Sequence, residues 1–410
     1  MKYALKYALS LAIVAACAAV HAEGPVRFIQ DEFCISFFID PPMDENADAN
    51  YKDIADANFN VVLGITGFST PEKLKEQVAL CAKFGLKDIV GSAGLPDDQL
   101  PNDANVWGYF IRDEPSAKDF PALRERVDAL RAARPGKLGY INLFPSYCDL
   151  PRLGTASYEE HVQRYMDEVD PDVLCMDHYP FMRPDKDTRE DYIKDVETMR
   201  VHALAKNVPW WNYFNIMPFG PHRDPTEAQV RWQIFTSVAY GAKGVLYFCY
   251  WTPRGGEFDK GGAVITSEGQ KTRHYGQAKR VNAQLKAWGP DLMRLHSDGA
   301  KRIVGGKEPD ASLQDTPIRS ISEGDYEAGL FHHVDGHRAL ILVNHDMAFT
   351  TWPTVQFDVP DDRVLEVDSE TGETGPARDD SPTMPGLQLS FDAGDARFFL
   401  LPAEAGYLPK

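Results

Sequence analysis

Eight short apolar runs alternate with amphipathic stretches between Phe33 and Leu295, and this alternation restricts the chain more than any single motif. The runs are Phe33 to Ile39, Asn60 to Ile65, Lys87 to Gly91, Val106 to Arg112, Leu138 to Phe144, Val173 to Asp177, Pro209 to Phe214 and Gly244 to Tyr250. Between them Leu74, Val78, Cys81 and Phe84 step by four, three and three, and Phe120, Leu123, Val127 and Leu130 by three, four and three, the spacing of a helix with one buried face. Tyr158, Val162, Tyr165 and Val169 repeat it. Thr226 with Gln229 three residues on is a capping box ahead of Val230 to Tyr240. The connection Ser92 to Asn105 is rich in Pro, Asp and Gly, so its helix is short or missing.

Strands that read as continuous apolar runs must be covered on both faces. Eight strand-helix units in roughly 260 residues match an α/β (β/α)8 TIM barrel. The rival is an open doubly wound sheet, which carries a Gly-rich phosphate loop after its first strand; Ile39-Asp40-Pro41-Pro42 stands there instead. The character changes after Leu295. Tyr326 to His332, Ala339 to Asn344, Thr354 to Val359 and Ala396 to Leu401 alternate with period two, separated by turn signals such as Asp335-Gly336 and Thr371-Gly372. The expected organisation is a barrel over 25–295 and a small all-β sandwich domain over 296–410.

Lys2 and Lys6 precede the apolar stretch Ala8 to Val20, and Val20-His21-Ala22 forms a small-residue ending, which predicts an export signal over 1–22. Val14-Ala15-Ala16-Cys17 resembles a bacterial lipobox and offers the alternative of a lipid anchor on Cys17. The expectation is a periplasmic or secreted protein, or else an outer-membrane lipoprotein. No other apolar run is long enough to be a transmembrane segment. Losing Lys2 and Lys6 moves the formal charge from −18 to −20. Such an acidic surface, with no basic stripe, argues against a nucleic-acid partner. Five cysteines remain beyond Cys17: Cys34, Cys81, Cys148, Cys175 and Cys249. An odd number in mostly apolar runs implies no disulfide framework.

Polar and aromatic residues collect where the strands end, the edge at which a barrel builds its site. Asp40 follows the first strand, and Asp113 and Glu114 follow the fourth. Asn142 lies in the fifth, Asp177-His178-Tyr179 ends the sixth, Asn212 and Asn215 flank the seventh, and Tyr250-Trp251 ends the eighth. Sugar rings stack on aromatic faces while their hydroxyls need carboxylate, amide and imidazole partners, so this rim suits a carbohydrate. Each residue also has a plainer reading. Asp113 and Glu114 precede a helix whose N-terminus favours negative charge; Asp177 reads equally as a loop anchor, His178 as a core imidazole and Trp251 as a plug, with Arg231 and Trp232 packing and surface residues.

The stretch Gly108 to Pro115, Gly-Tyr-Phe-Ile-Arg-Asp-Glu-Pro, together with Met176 to Phe181, Ala239 to Gly244 and Tyr250 to Pro253, resembles (β/α)8 glycoside hydrolases, close to uncharacterised bacterial glycosidase-like proteins with a GYFxxDEP motif. In the large retaining clan that this resembles, the fourth strand ends in Asn-Glu, which implies Glu114 as general acid/base, with Asp113 in place of the Asn. The clan's nucleophilic Glu ends the seventh strand, and Tyr213 to Pro218 contains no carboxylate. Three repairs are open: Asp177 as second carboxylate; Asp113 and Glu114 together on an N-acetylated sugar; or an acid from the eighth loop, Glu257, Asp259 or Glu268.

The resulting expectation is an exported glycoside hydrolase acting on a poly- or oligosaccharide, with Glu114, Asp177 and Asp113 catalytic and Trp251, Tyr179, His178, Asn142, Asp40 and Tyr250 binding the sugar. No cofactor is required. The alternative is a non-catalytic, possibly lipid-anchored, glycan-binding protein on a degenerate barrel. His332, His333, His337 and His345 with Asp335 and Asp346 invite a metal reading, but His332 and His333 point to opposite faces of a strand and no zinc site is expected. GxGxxG, Walker, HExxH and GxSxG elements are absent from the sequence.

Overall fold

The computed structural model describes residues 26–65, 70–92, 94–255, 259–306 and 311–403. The expected leader 1–22, Cys17 and Glu257 lie outside them. All eight apolar runs form strands: β1 (Cys34–Phe37), β2 (Val61–Gly64), β3 (Lys87–Val90), β4 (Val106–Asp113), β5 (Leu138–Asn142), β6 (Leu174–Asp177), β7 (Trp210–Asn215) and β8 (Gly244–Phe248). They pair in parallel as β1-β8-β7-β6 and β2-β3-β4-β5. Hydrogen bonds join the two sheets at both edges. Asn60 N donates to Ile35 O at 3.1 Å beside β1 and β2, and Leu143 N donates to Cys175 O at 2.9 Å beside β5 and β6. The strands therefore run in cyclic order around a closed ring.

Helices α1 (Ala47–Asp56), α2 (Pro71–Lys83), α3 (Phe120–Ala133), α4 (Leu150–Leu153), α5 (Tyr158–Glu168), α6 (Arg189–Lys206), α7 (Glu227–Ala239) and α8 (Arg273–Leu292) surround it. Among the described residues between β3 and β4 the helical element is a single turn, Asp97–Gln99, as the Pro-rich connection implied. Thr226 caps α7 reciprocally with Gln229, at 3.2 and 3.0 Å. Strand alternation sorts the side chains. Cys34, Val61, Leu63, Ile89, Trp107, Leu138, Tyr140, Cys175, Trp211 and Leu246 fill the interior, while Ile35, Phe37, Val62, Ile141, Leu174, Met176, Phe214, Val245 and Tyr247 meet the helices. Trp107, Trp211 and Tyr140 stack in the middle, with centroids 6.4 and 5.9 Å apart.

The strands that follow α8 are antiparallel: β9 (Leu295–Val304), β10 (Ile318–Ile321), β11 (Asp325–His333), β12 (Arg338–Asn344), β13 (Thr354–Phe357), β14 (Leu365–Val367), β15 (Thr374–Pro376), β16 (Leu387–Gln388) and β17 (Ala396–Leu401). They form a six-stranded sheet, β9-β11-β12-β17-β14-β15, and a three-stranded sheet, β10-β13-β16. Ile303, Ile318, Tyr326, Leu340, Leu342, Val355, Phe357, Phe399 and Leu401 make a common core for both. Strand β9 has no alternating signal: its register shifts at Ser297/Gly299 and most of its side chains are polar.

This region rests on α7 and α8. Trp288 of α8, fully buried, donates Nε1 to Val367 O at 3.1 Å and meets Phe398 edge-on at 5.7 Å. Trp232 of α7, expected to be a packing or surface residue, is buried and donates to His345 Nδ1 at 3.4 Å. Gly329 and Gly394 press directly on α7: a Cβ at either would overlap the carbonyl oxygen of Ala239 or Ala228. No helix among the described residues is long and apolar enough to cross a membrane.

Candidate active site

Extending the inward register of the barrel by one more pair of residues toward the C-terminal ends of the strands brings up Phe38, Asn142, Asp177, Tyr213 and Phe248. With Ile39, Asp113, Glu114, Tyr179, Phe219 and Pro253 they line a cleft of about 340 Å³. The polar groups come from β4, β5 and β6 and the aromatic groups mostly from β1, β7 and β8, so the cleft has one acidic side and one apolar side.

Successive residues of a strand face opposite ways, so Asp113 and Glu114 should diverge. They do not, because Glu114 has φ +45°, in the left-handed region. That conformation costs an L-residue about 1–2 kcal/mol, and it turns the Glu114 side chain back into the cleft beside Asp113. The site holds it there: Glu114 N donates to Asn142 O at 2.8 Å. Among the described residues the other non-glycine positions with positive φ are Asn58, Asp170, Asn207 and Asp315, which tolerate it, and Ile39 at +63°. Glu114 and Ile39 are thus the two side chains that resist this backbone, and both line the cleft.

Asn142 Nδ2 donates to Asp113 Oδ1 at 3.1 Å and to Asp177 Oδ1 at 2.9 Å, tying the two carboxyls together. Burial raises the pKa of Glu114, the neighbouring charge of Asp113 adds to the rise, and Arg152 opposes it, leaving it at about 7. Asp177 is pushed well up by burial, then by Glu114 and Asp113, while the Asn142 and Tyr179 hydrogen bonds pull it back. Asp113 is raised by the surrounding protein, against the Asn142 hydrogen bond and Arg112. Three carboxyls this close do not all ionise together; near neutral pH the cluster keeps a proton. The cation that pairs with Glu114 is the exposed Arg152 of α4, 3.6 Å from Oε2, with its guanidinium over the Phe144 ring at 4.8 Å. Such an arrangement can deliver a proton to a bound oxygen and present a second carboxylate to the same centre.

Of the residues singled out from the sequence, Glu114, Asp113, Asp177, Asn142 and Tyr179 meet in this cleft. Trp251 and Asp40 line an adjoining cleft of about 720 Å³ that shares Ile39 and Pro253 with the first. Asp40 is buried and accepts from Ile65 N at 3.2 Å and Gln77 Nε2 at 2.8 Å, so its carboxylate is engaged within the protein. Two residues must be corrected as sugar contacts. His178 is fully buried behind β6, with Nδ1 2.7 Å from Asp195 Oδ2 and its ring edge-on to Tyr192 of α6. Tyr250 stacks on Phe37 at 4.6 Å on the outer face, because the alternation breaks where Phe248 and Cys249 both turn inward. Asn212 and Asn215 are structural too: Asn212 Nδ2 reaches Tyr192 and Ser237, and Asn215 Nδ2 reaches Arg223 O. Of the eighth-loop acids, Asp259 is exposed and outside both linings, and Glu268 is exposed in the larger cleft.

Sequence reasoning missed Tyr213, Phe38, Phe219, Phe248, Tyr147 and Arg152. The inward parity of each strand would have identified Phe38, Tyr213 and Phe248; Tyr147 and Arg152 sit on the loop and short helix after β5, which carried no periodic signal. Among the described residues no group of three or more His, Cys, Asp or Glu is placed to hold a metal ion. His332, His333, His337 and His345 each pair with a carboxylate, namely Asp298, Asp335 for both His333 and His337, and Glu327.

Residues 123–288 match the Glyco_hydro_42 (β-galactosidase) family model, a span that begins beyond Glu114 and contains β5 to β8. No curated protein sequence matches the chain. A GH42 β-galactosidase from G. stearothermophilus, solved as a catalytic mutant, is similar in fold: TM-score 0.59 at 9% identity, covering 90% of this chain and 98% of that one. The β-galactosidase from Bacillus circulans sp. alkalophilus gives 0.55 at 11% identity, covering 90% and 99%. Against the β-galactosidase of the psychrophilic Marinomonas ef1, at TM-score 0.47 and 12% identity over 62% of this chain, the chain spans 60% of the length. At these identities the two larger-coverage structures speak for the fold alone, an α/β fold shared with these β-galactosidases; what bears on activity is the family match over 123–288.

Proposed function

We propose that the protein hydrolyses O-glycosidic bonds, with Glu114 donating a proton to the leaving oxygen and Asp177, on the same acidic side of the cleft, acting as nucleophile or as base for a water. The observation that supports this most is the strained backbone of Glu114, which aims a carboxyl with a pKa of about 7 into a cleft holding two further carboxyls. Asp113 keeps the proton on Glu114 through its charge, and Asn142 holds Asp113 and Asp177 at a fixed spacing. Tyr179, Tyr213, Phe219 and Phe248 supply the apolar surface against which a sugar ring packs. The β-strands after Leu295 would serve as a sandwich-like buttress for α7 and α8. Export, by a cleaved leader or by a lipid on Cys17, belongs to the same reading and rests on residues 1–22 of the sequence alone.

The test is turnover of p-nitrophenyl β-D-galactoside, β-D-glucoside and N-acetyl-β-D-glucosaminide, and of the corresponding oligosaccharides. Glu114→Gln should reduce hydrolysis about 10²–10⁴-fold without lowering the melting temperature. Unchanged turnover in that variant would remove Glu114 from the mechanism. Proton NMR of the first-formed product then decides between a retaining pair of carboxyls, about 5–5.5 Å apart, and an inverting pair at about 6.5–9.5 Å. The end of β7 favours one other reading, because Tyr213 stands there where a carboxylate would complete a retaining site. If oligosaccharides bind and none is cleaved, the protein is a glycan-binding barrel.

A further inference from the structure

We infer that the larger cleft beside Trp251 is the continuation of the sugar site on the side away from the leaving group, so the protein takes chains with two or more sugar units ahead of the scissile bond. This rests on the reading of Glu114 as proton donor. A general acid stands beside the oxygen it protonates, so the leaving group lies on the β4 side of the mouth. In the cyclic strand order β8 and β1 lie across the ring from β4, and the larger cleft is built on them, from the loops that follow β8 and β1 and from α1. A chain passing over Glu114 and across the barrel axis leads into it.

The two clefts are one surface. Ile39 and Pro253 line both, and together they enclose about 340 and 720 Å³. The left-handed backbone of Ile39 sits at the junction, and its carbonyl accepts from Trp251 N at 3.0 Å, which ties the main chain of Trp251 to the end of β1. Gly269 backs the outer edge of that indole so closely that a Cβ would touch its ring at 3.2 Å. A part-buried aromatic plate at the cleft wall suits the C–H face of a sugar. Around it Asn46 and Asn50 offer amides and Ser267 a hydroxyl. Asp44 and Glu268 are the exposed acids of this lining, Asp53 pairs with Lys271 at 2.6 Å, and Arg254 is the lining's cation, a balance that suits neutral sugars better than uronic or sulfated ones. A pocket for a single terminal sugar would be closed at this point.

Ala49 is exposed on α1 and lines the larger cleft without touching the smaller one. Ala49→Trp should fill the cleft and leave the reacting centre intact. Calorimetry on the Glu114→Gln protein with galacto-, gluco- and N-acetylgluco-oligosaccharides of one to four units reads the inference without turnover. The expected result is at least tenfold tighter binding of the trimer than of the monomer in one series, abolished by adding Ala49→Trp. Affinity that does not grow with length in any series, or a gain that survives Ala49→Trp and the second blocking variant Ala49→Phe, would overturn it. In the otherwise native protein Ala49→Trp should leave p-nitrophenyl monoglycoside turnover within twofold while reducing cleavage of the longer chains at least tenfold. Should the native protein cleave none of them while binding still lengthens with the chain, the hydrolase reading fails and the extended site stands.

Discussion

The amide nitrogen of Glu114 donates to the main-chain carbonyl of Asn142 at 2.8 Å, which fastens a residue with left-handed backbone to the end of the neighbouring strand. The strain is local and belongs to the side chain's Cβ, so removing the Cβ should release it. Glu114→Gly is expected to be about 1 kcal/mol more stable than the native protein and inactive. Urea denaturation beside a glycosidase assay would show the two effects together; a destabilised Glu114→Gly would mean that the carboxyl contributes more to folding than the backbone costs.

The alkaline limb of the kcat/KM profile should fall near pH 7, where Glu114 loses its proton. Asp113→Asn removes the negative charge that holds this proton, so the limb should move to lower pH. Stability follows the same sign. The folded pKa of Glu114 is raised above its ordinary value, so the contribution is fully present below about pH 4.5 and lost as the pH climbs through about 7. Glu114→Gln should flatten that part of the stability profile.

Arg152 acts in the opposite direction. It is the cation facing Glu114, against Asp113 on β4, Asp177 on β6, and Tyr147 and Cys148 on the loop after β5. Arg152→Gln should move the alkaline limb to higher pH, by less than Asp113→Asn moves it down, since the guanidinium is exposed and screened. An unchanged profile would show that the 3.6 Å pair does not persist in solution.

Trp288 is the largest side chain shared by α8 and the C-terminal sheets. Trp288→Ala should destabilise the protein by about 3–5 kcal/mol, measured by chemical denaturation, and should lower activity only where unfolding begins.

The barrel was legible because strands buried on both faces must be apolar throughout, and all eight runs became strands. Glu114 was legible for a related reason: a carboxylate directly after such a run has nowhere to go but the strand-end edge. What the sequence could not convey is which way a residue faces once alternation stops. His178 and Asp177 are neighbours, yet one lies behind the strand and the other in the cleft. Tyr250 stands at the end of the eighth run, yet it lies on the outer face because Phe248 and Cys249 both turn inward ahead of it. Arg152 and Tyr147 come from an irregular connection whose path depends on packing against α6, where Asp195 accepts from Ser146 N at 3.1 Å. Strand β9 escaped notice because a bulge at Gly299 interrupts its period.

Gly329 and Gly394 lie against α7 with no room for even a methyl group. A chain cut between the barrel and the sheets would therefore bare a strip of helix shaped to receive another backbone, and such a fragment is expected to self-associate in place of remaining a well-behaved monomer. Transplanting the sheets onto an unrelated barrel would fail for the mirror-image reason, because few helices offer so smooth a bed.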